Sequence, residues 1–259
     1  MRYIIFIFFV TIQGLSLAQY IGVSNNPFLM HITLKQTIAY HIPNQETLIQ
    51  LTQDRTVAYQ FIETPQSEPA LQSQVKKIKG SIIAFGQEQS FDSEKKDSLS
   101  AEERNLIDSI LQHSIQTFSA SKQIKSNQLA SLSFEPEDYK KFFLPAKYIQ
   151  AGTAFGWTDS IQVDSSSSVY ECTFLRKYGD TIQIHVFGTH NIKNTVKQGE
   201  QVIQQVIKGL EKSMRYYHSK TGILMKEQRL IQFEGTAESQ NTRFPVSVKI
   251  ESTIEGIKN

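Results

Sequence analysis

The chain has 259 residues, with 27 basic against 25 acidic side chains, a net charge of +2 and 39% hydrophobic residues. Charge this evenly balanced argues against nucleic acid as a partner, and the length allows one domain with a large core. The single cysteine, Cys172, excludes an intrachain disulfide.

A positive start, Met1-Arg2-Tyr3, precedes the apolar run Ile4 to Val10, and Gly14 with Ser16-Leu17-Ala18 supplies small residues where signal peptidase needs them. The expectation is a secretory signal over 1–18, cut after Ala18, and a single β-rich domain over 19–259. The apolar run is shorter than the roughly 20 residues a spanning helix requires, so no integral membrane segment is expected after cleavage. Gln19 stands where a lipoprotein carries its lipid-modified cysteine. The product is therefore expected to be periplasmic or extracellular and not a lipoprotein.

The first periodic segment is "FLMHITLKQTIAYHI", in which Phe28, Met30, Ile32, Leu34, Ile38, Tyr40 and Ile42 alternate with mostly polar neighbours. A period of two marks a strand with one buried face. Pro43-Asn44 breaks it, and "TLIQLTQDRTVAYQFIE" resumes it, which predicts a long hairpin. "LQSQVKKIKGSIIAFGQEQSFDSE" predicts two more strands, bent near Gly80 and Gly86. In "SLSAEERNLIDSILQHS", Ser100 and Glu103 form a capping box ahead of the stripe Leu106, Ile107, Ile110, Leu111, which predicts a helix. A second, short helix is expected between Pro136 and Pro145.

Strand alternation returns in "TAFGWTDSIQV", "SVYECTFLRKYG", "DTIQIHVFGTHNI", with a bend expected at its "VFGT", and "RFPVSVKIES". Residues 202–217 fit both periods: Val202, Ile203, Val206, Ile207 and Leu210 make a helical stripe that Gly209 interrupts. The stretches "KGSIIAFGQEQSFDSEKK" and "QQVIKGLEKSMRYYHSKTG" share Gly-x-Glu-x-Ser between an apolar run and an aromatic, and suggest two pseudo-repeated halves, 19–134 and 146–259. On that comparison 202–217 is read as strand.

The signal segment, "LTQDRTVAYQFIE", "FDSE" before a capped helix, "FFLPAKYIQAGTAFGW" and "YYHSKTGIL" together resemble an uncharacterised family of exported Bacteroidota proteins, a domain of unknown function. The resemblance spans most of the mature chain. It implies a mostly antiparallel β fold without known catalytic residues.

Lys220-Thr221-Gly222 is the tripeptide found on the active-site strand of serine β-lactamases, but the partners such an enzyme needs are poorly placed. Ser119 to Lys122 lies beyond the helix in an expected strand, Ser93 to Lys96 lies in a charged loop, and no Ser-x-Asn intervenes before Lys220. The tripeptide is read as a turn, with Gly222 at positive φ. No nucleophile elbow, phosphate loop or His-Glu-x-x-His occurs, so no catalytic residue, no metal site and no cofactor is expected. His185 and His190 are read as solvated or capping, Cys172 as a small core residue, and Lys77 with Lys79 as a wet strand face.

The expected fold is mainly β: an antiparallel, strongly curved sheet or open barrel with one or two short helices, the 100–113 helix covering one end or edge. Trp157, Tyr40, Tyr59 and Phe174 are the candidate ligand-lining residues. The expected function is a non-catalytic, exported cell-envelope binding module for an apolar small molecule or lipid-like ligand; the alternative is a structural or protein-interaction component meeting another envelope protein.

Overall fold

The structure is a computed structural model, and it describes residues 28–42, 45–63, 69–84, 86–95, 97, 99–112, 116–119, 139–144, 148, 155–163, 165–198, 201–239 and 242–257. The expected signal segment 1–18 lies outside the described residues. Among the described residues, eleven strands follow one another: β1 (Phe28–Ile42), β2 (Gln45–Glu63), β3 (Pro69–Ala84), β4 (Gln87–Asp92), β5 (Gln116–Ser119), β6 (Gly156–Val163), β7 (Ser166–Tyr178), β8 (Thr181–Gln198), β9 (Gln201–His218), β10 (Leu224–Ser239) and β11 (Thr242–Gly256). A helix, α1 (Ala101–Gln112), stands between β4 and β5.

All eleven belong to one antiparallel sheet, in the order β4-β3-β2-β1-β11-β10-β9-β8-β7-β6, with β5 beside β3 off this path. Every neighbouring pair on the path is a sequence-local hairpin except β1 with β11, which joins the two ends of the strand run. β4 and β6 end the path and do not pair with each other, so the sheet is not closed. Short loops favour this meander, because antiparallel strands need only a tight turn between them.

Alternation sends every second residue to one face, and that face is the core. Met30, Ile32, Leu34 and Ile38 on β1, Phe244, Val246, Val248 and Ile250 on β11, and Ile182, Ile184 and Val186 on β8 are all buried. Two apolar clusters share this inner face. One gathers Met30, Ile32, Val57, Tyr59, Tyr170, Cys172, Ile184 and Leu224; the other gathers Leu34, Ile38, Leu51, Ile207, Ile231, Phe233 and Val248. Cys172 is buried in the core and in no disulfide, as its strand face implies.

The helix covers the β3–β4 edge, where Ile107, fully buried, packs with Ile78 and Phe91. Outside it, Lys77 meets Glu94 at 2.5 Å and Lys79 meets Asp54 at 3.4 Å, all exposed or partly so, which makes this a wet face. At one end of the inner face a short strap runs across. It is a 3-10 turn, Tyr139–Phe142, continued by Phe143 and Leu144. In place of the second helix expected before Pro145, the described residues there form only this turn, because Phe143 leaves it to bridge antiparallel to Ile223.

Residues 202–217 are strand, within β9. β8 runs unbroken from Thr181 to Gln198 through "VFGT", with Gly188 mid-strand and paired with Glu211. The two stretches read as a repeat also differ in structure. Gly86 lies in the β3–β4 turn at φ 77°, whereas Gly209 lies inside β9, opposite Phe233. Each glycine answers a different local demand, one for a left-handed backbone and one for space.

Candidate functional site

The inner face carries a band of polar side chains. On β9, Glu211, Ser213 and Arg215 point inward, with Ile207 on one side of them and Tyr217 on the other; on β10, Glu227 and Arg229 stand between Leu224 and Ile231. Ser252 continues the band on β11. Its members are in phase with the apolar residues of their strands, because the strand period of two leaves them no other face. A register shift between Leu224 and Lys226 lets Leu224 and Glu227 both face inward despite their odd spacing.

Glu227 is the hub. Its side chain is wholly buried, accepts a hydrogen bond from Arg215 Nε at 2.7 Å and one from Ser213 Oγ at 3.0 Å, and lies 3.3 Å from Lys141 Nζ. Burial pushes this carboxyl upward, but the Lys141 and Arg215 charges, with the bonds from Arg215 and Ser213, outweigh it and hold it at about 2. Arg215 also reaches toward Glu211, 3.8 Å away, and lies over the Tyr170 ring. Arg229 donates to Ser252 Oγ at 3.1 Å; burial and the nearby Arg55 charge lower it to about 10.

From Glu211 the band passes to β8 and β7. His190 Nε2 lies 3.3 Å from Glu211 and Nδ1 lies 2.8 Å from Ser168 Oγ. His190 is therefore buried and internal, which corrects its reading as a solvated or capping residue; His185, one face removed, is only partly buried. Two glycines make the space. A side chain at Gly188 would stand 2.9 Å from Glu211 Cβ and 3.1 Å from the imidazole, and one at Gly209 would enter the Phe233 ring, which packs on His190 at 5.6 Å.

A serine, a histidine and a carboxylate in sequence form the relay of a nucleophilic hydrolase. Nucleophilic attack also requires a hydroxyl that a substrate carbonyl can reach, with donors aimed at its oxygen. Ser168 is buried, and its partner His190 is enclosed between Tyr170 and Phe233. As it stands, the arrangement sets a buried imidazole beside a buried carboxylate, His190 Nε2 and Glu211 Oε2 being 3.3 Å apart.

The four residues expected to line a ligand site all lie on the inner face, at two places. Tyr59, Trp157 and Phe174 belong to the strap-end cluster. Tyr59 stacks with Phe28 and meets Phe142 at 4.5 Å; Trp157 stacks on Tyr148 at 4.7 Å while its Nε1 donates to Asp159 at 2.7 Å; Phe174 packs on Phe155. Tyr40 packs with the other cluster, where its hydroxyl accepts from Gln205 Nε2 at 2.8 Å.

Lys220-Thr221-Gly222 is the β9–β10 turn. Gly222 has φ 70°, its N–H donates to the His218 carbonyl at 2.8 Å, and the His218 N–H donates to the Ile223 carbonyl at 2.9 Å. The Gly222 carbonyl accepts the Leu144 N–H at 2.8 Å, so the turn is also the dock of the strap. Ser93 is engaged in the same structural way: its N–H and its hydroxyl bond the Ile78 carbonyl and N–H at 2.8 and 3.0 Å. The outer face carries an open groove of about 580 Å³ bordered by Thr33, Lys35, Thr52, Lys212, Leu230 and Glu251. No helix among the described residues is long and apolar enough to cross a membrane. No family model matches the sequence, and no curated protein matches it either.

Proposed function

We propose that the chain is an exported, non-catalytic binding module of the cell envelope whose inner sheet face takes up an apolar or lipid-like ligand. The observation that supports this reading is an open sheet with one apolar face running from β3 to β8, its side chains gathered into buried clusters, with α1 at one edge and the strap at one end among the described residues. An apolar ligand received among these side chains would itself gain roughly 25 cal/mol for each Å² of its surface removed from water. The signal-like residues 1–18 and the resemblance to exported Bacteroidota proteins support the location.

Curvature of the sheet belongs to the same proposal. β1 and β9 are three strand spacings apart, about 14 Å in a flat sheet, yet Tyr40 and Gln205 bond across the inner face at 2.8 Å. The strap supports it too, since Phe142 meets Tyr59 of β2 while its neighbour Phe143 bridges Ile223 before β10. A face curved in this way surrounds a long apolar molecule, and the polar band beneath gives it one place for a polar group.

A second reading, a component that meets another envelope protein, draws on the outer face of β9, where Val202, Val206 and Leu210 stand exposed in one line. Native mass spectrometry of the purified protein separates the two. A co-purified lipid-like mass, together with a change in Trp157 emission when it is stripped, is expected. A ligand-free monomer that takes up no hydrophobic dye overturns the binding reading, and a stable dimer quenched by Leu210→Lys transfers support to the second.

A further inference from the structure

The strap lies at one end of the inner face, and an uncharged polar pair stands at the other. Tyr40, near the end of β1, and Gln205, near the start of β9, both point inward, and Gln205 Nε2 donates to the Tyr40 hydroxyl at 2.8 Å. Gln205 is 1% exposed, while Tyr40 is partly exposed. The ladder sets Gln205 opposite Ala237 on β10, and Ala237 opposite Phe244 on β11, whose ring meets Tyr40 edge-on at 5.9 Å. With only a methyl group from Ala237 beside it, the amide reaches across toward β1.

That bond uses half of each group. Gln205 Oε1 is buried and takes no hydrogen bond from the described residues, and the Tyr40 hydroxyl, having accepted, still has its own proton to give. Burial raises Tyr40 above the ordinary tyrosine range and the bond from Gln205 offsets this only in part, so the proton stays on the oxygen at neutral pH. Turning the amide over exchanges the roles and still leaves a donor and an acceptor side by side. A carboxylate answers only the donor and an ammonium only the acceptor; a hydroxyl answers both. Around the pair, Ile49, Ile192 and Ile203 are partly buried against the same cluster, and Ile42 is 36% exposed, so apolar surface adjoins the polar pair. Resting on the ligand-binding reading above, we infer that Tyr40 and Gln205 form the head-group site of that ligand and select an amphiphile whose polar end is an uncharged alcohol, its chain lying on Ile49, Ile192 and Ile203.

Isothermal titration of the full chain, stripped of any co-purified ligand, with 1-decanol and with 1-methoxydecane tests this, since the ether carries a methyl group where the alcohol carries its proton. The wild type should bind the alcohol about tenfold more tightly, because the ether can accept from Tyr40 but leaves the buried Gln205 acceptor unanswered. Gln205→Leu, which keeps an apolar side chain of similar size, should bring the two affinities within about twofold while the ether is bound as before; the wild-type comparison stands by itself should this variant not fold. Equal binding of alcohol and ether by the wild type, or a preference that survives Gln205→Leu, overturns the head-group assignment and leaves the ligand reading in place. Binding of neither compound overturns the ligand reading, and the assignment with it.

Discussion

Replacing Glu227 with glutamine should destabilise the protein by about 3 kcal/mol at neutral pH, and two lines of reasoning reach that figure. The carboxyl is held at about 2 against an ordinary 4.5, and a difference of that size corresponds to about 3 kcal/mol of extra stability in the ionised state. Independently, deleting one partner of a buried ion pair costs about 3–5 kcal/mol, because the charges left behind, here Lys141 and Arg215, lose the Glu227 carboxylate beside them. The sign with pH follows from the direction of the shift. A depressed carboxyl contributes fully above its unfolded value of 4.5, and the contribution drains away as the pH falls toward about 2. Urea unfolding of wild type and Glu227→Gln at pH 7, 5, 4 and 3 measures this. The two stabilities should differ by about 3 kcal/mol at pH 7 and draw together below pH 4. A variant as stable as the wild type at pH 7, or a gap that stays constant down to pH 3, refutes the assignment of Glu227 as the ionised hub.

Gly209→Ala should cost about 1–3 kcal/mol by overpacking, since its methyl would stand 2.2 Å from the Phe233 ring; a double-mutant cycle with Phe233→Leu should recover part of that loss, and additive losses would argue against the contact. The intact mass of the exported protein should correspond to a chain beginning at Gln19, and a mass retaining residues 1–18 would end the signal-peptide reading.

Much of the strand framework is legible in the residues. Phe28 to Ile42 and Phe244 to Ile250 alternate so regularly that local sequence fixes both the strand and its buried face, and Ser100 with Glu103 marks the start of the helix. β9 is the hard case, and the structure explains why. Its inward positions carry Gln205, Glu211, Ser213 and Arg215, while Val202, Val206 and Leu210 face outward, so apolar content does not tell its faces apart. On β10 the phase itself is the signal: Glu227 and Arg229 alternate in step with Ile231 and Phe233, which places two charges on the core side of an otherwise ordinary strand.

Which residues meet is another matter. Hairpin neighbours follow from chain order, but the pairing of β1 with β11 joins residues more than 200 apart, and His190, Glu211, Glu227 and Lys141 come from four different elements. Alternation states which face a side chain takes and carries no information about which strand lies across that face. The sequence by itself therefore determined the strands, the helix cap, the Gly222 turn and the buried thiol, all of which depend on interactions within a few residues. Only the tertiary structure decided that His190 is internal, that Lys141 on a short strap neutralises a carboxylate on β10, and that two glycines clear space for a ring and an imidazole. Those outcomes depend on distances across the sheet, where a buried charge finds its counterpart because the alternative is to remain unsolvated.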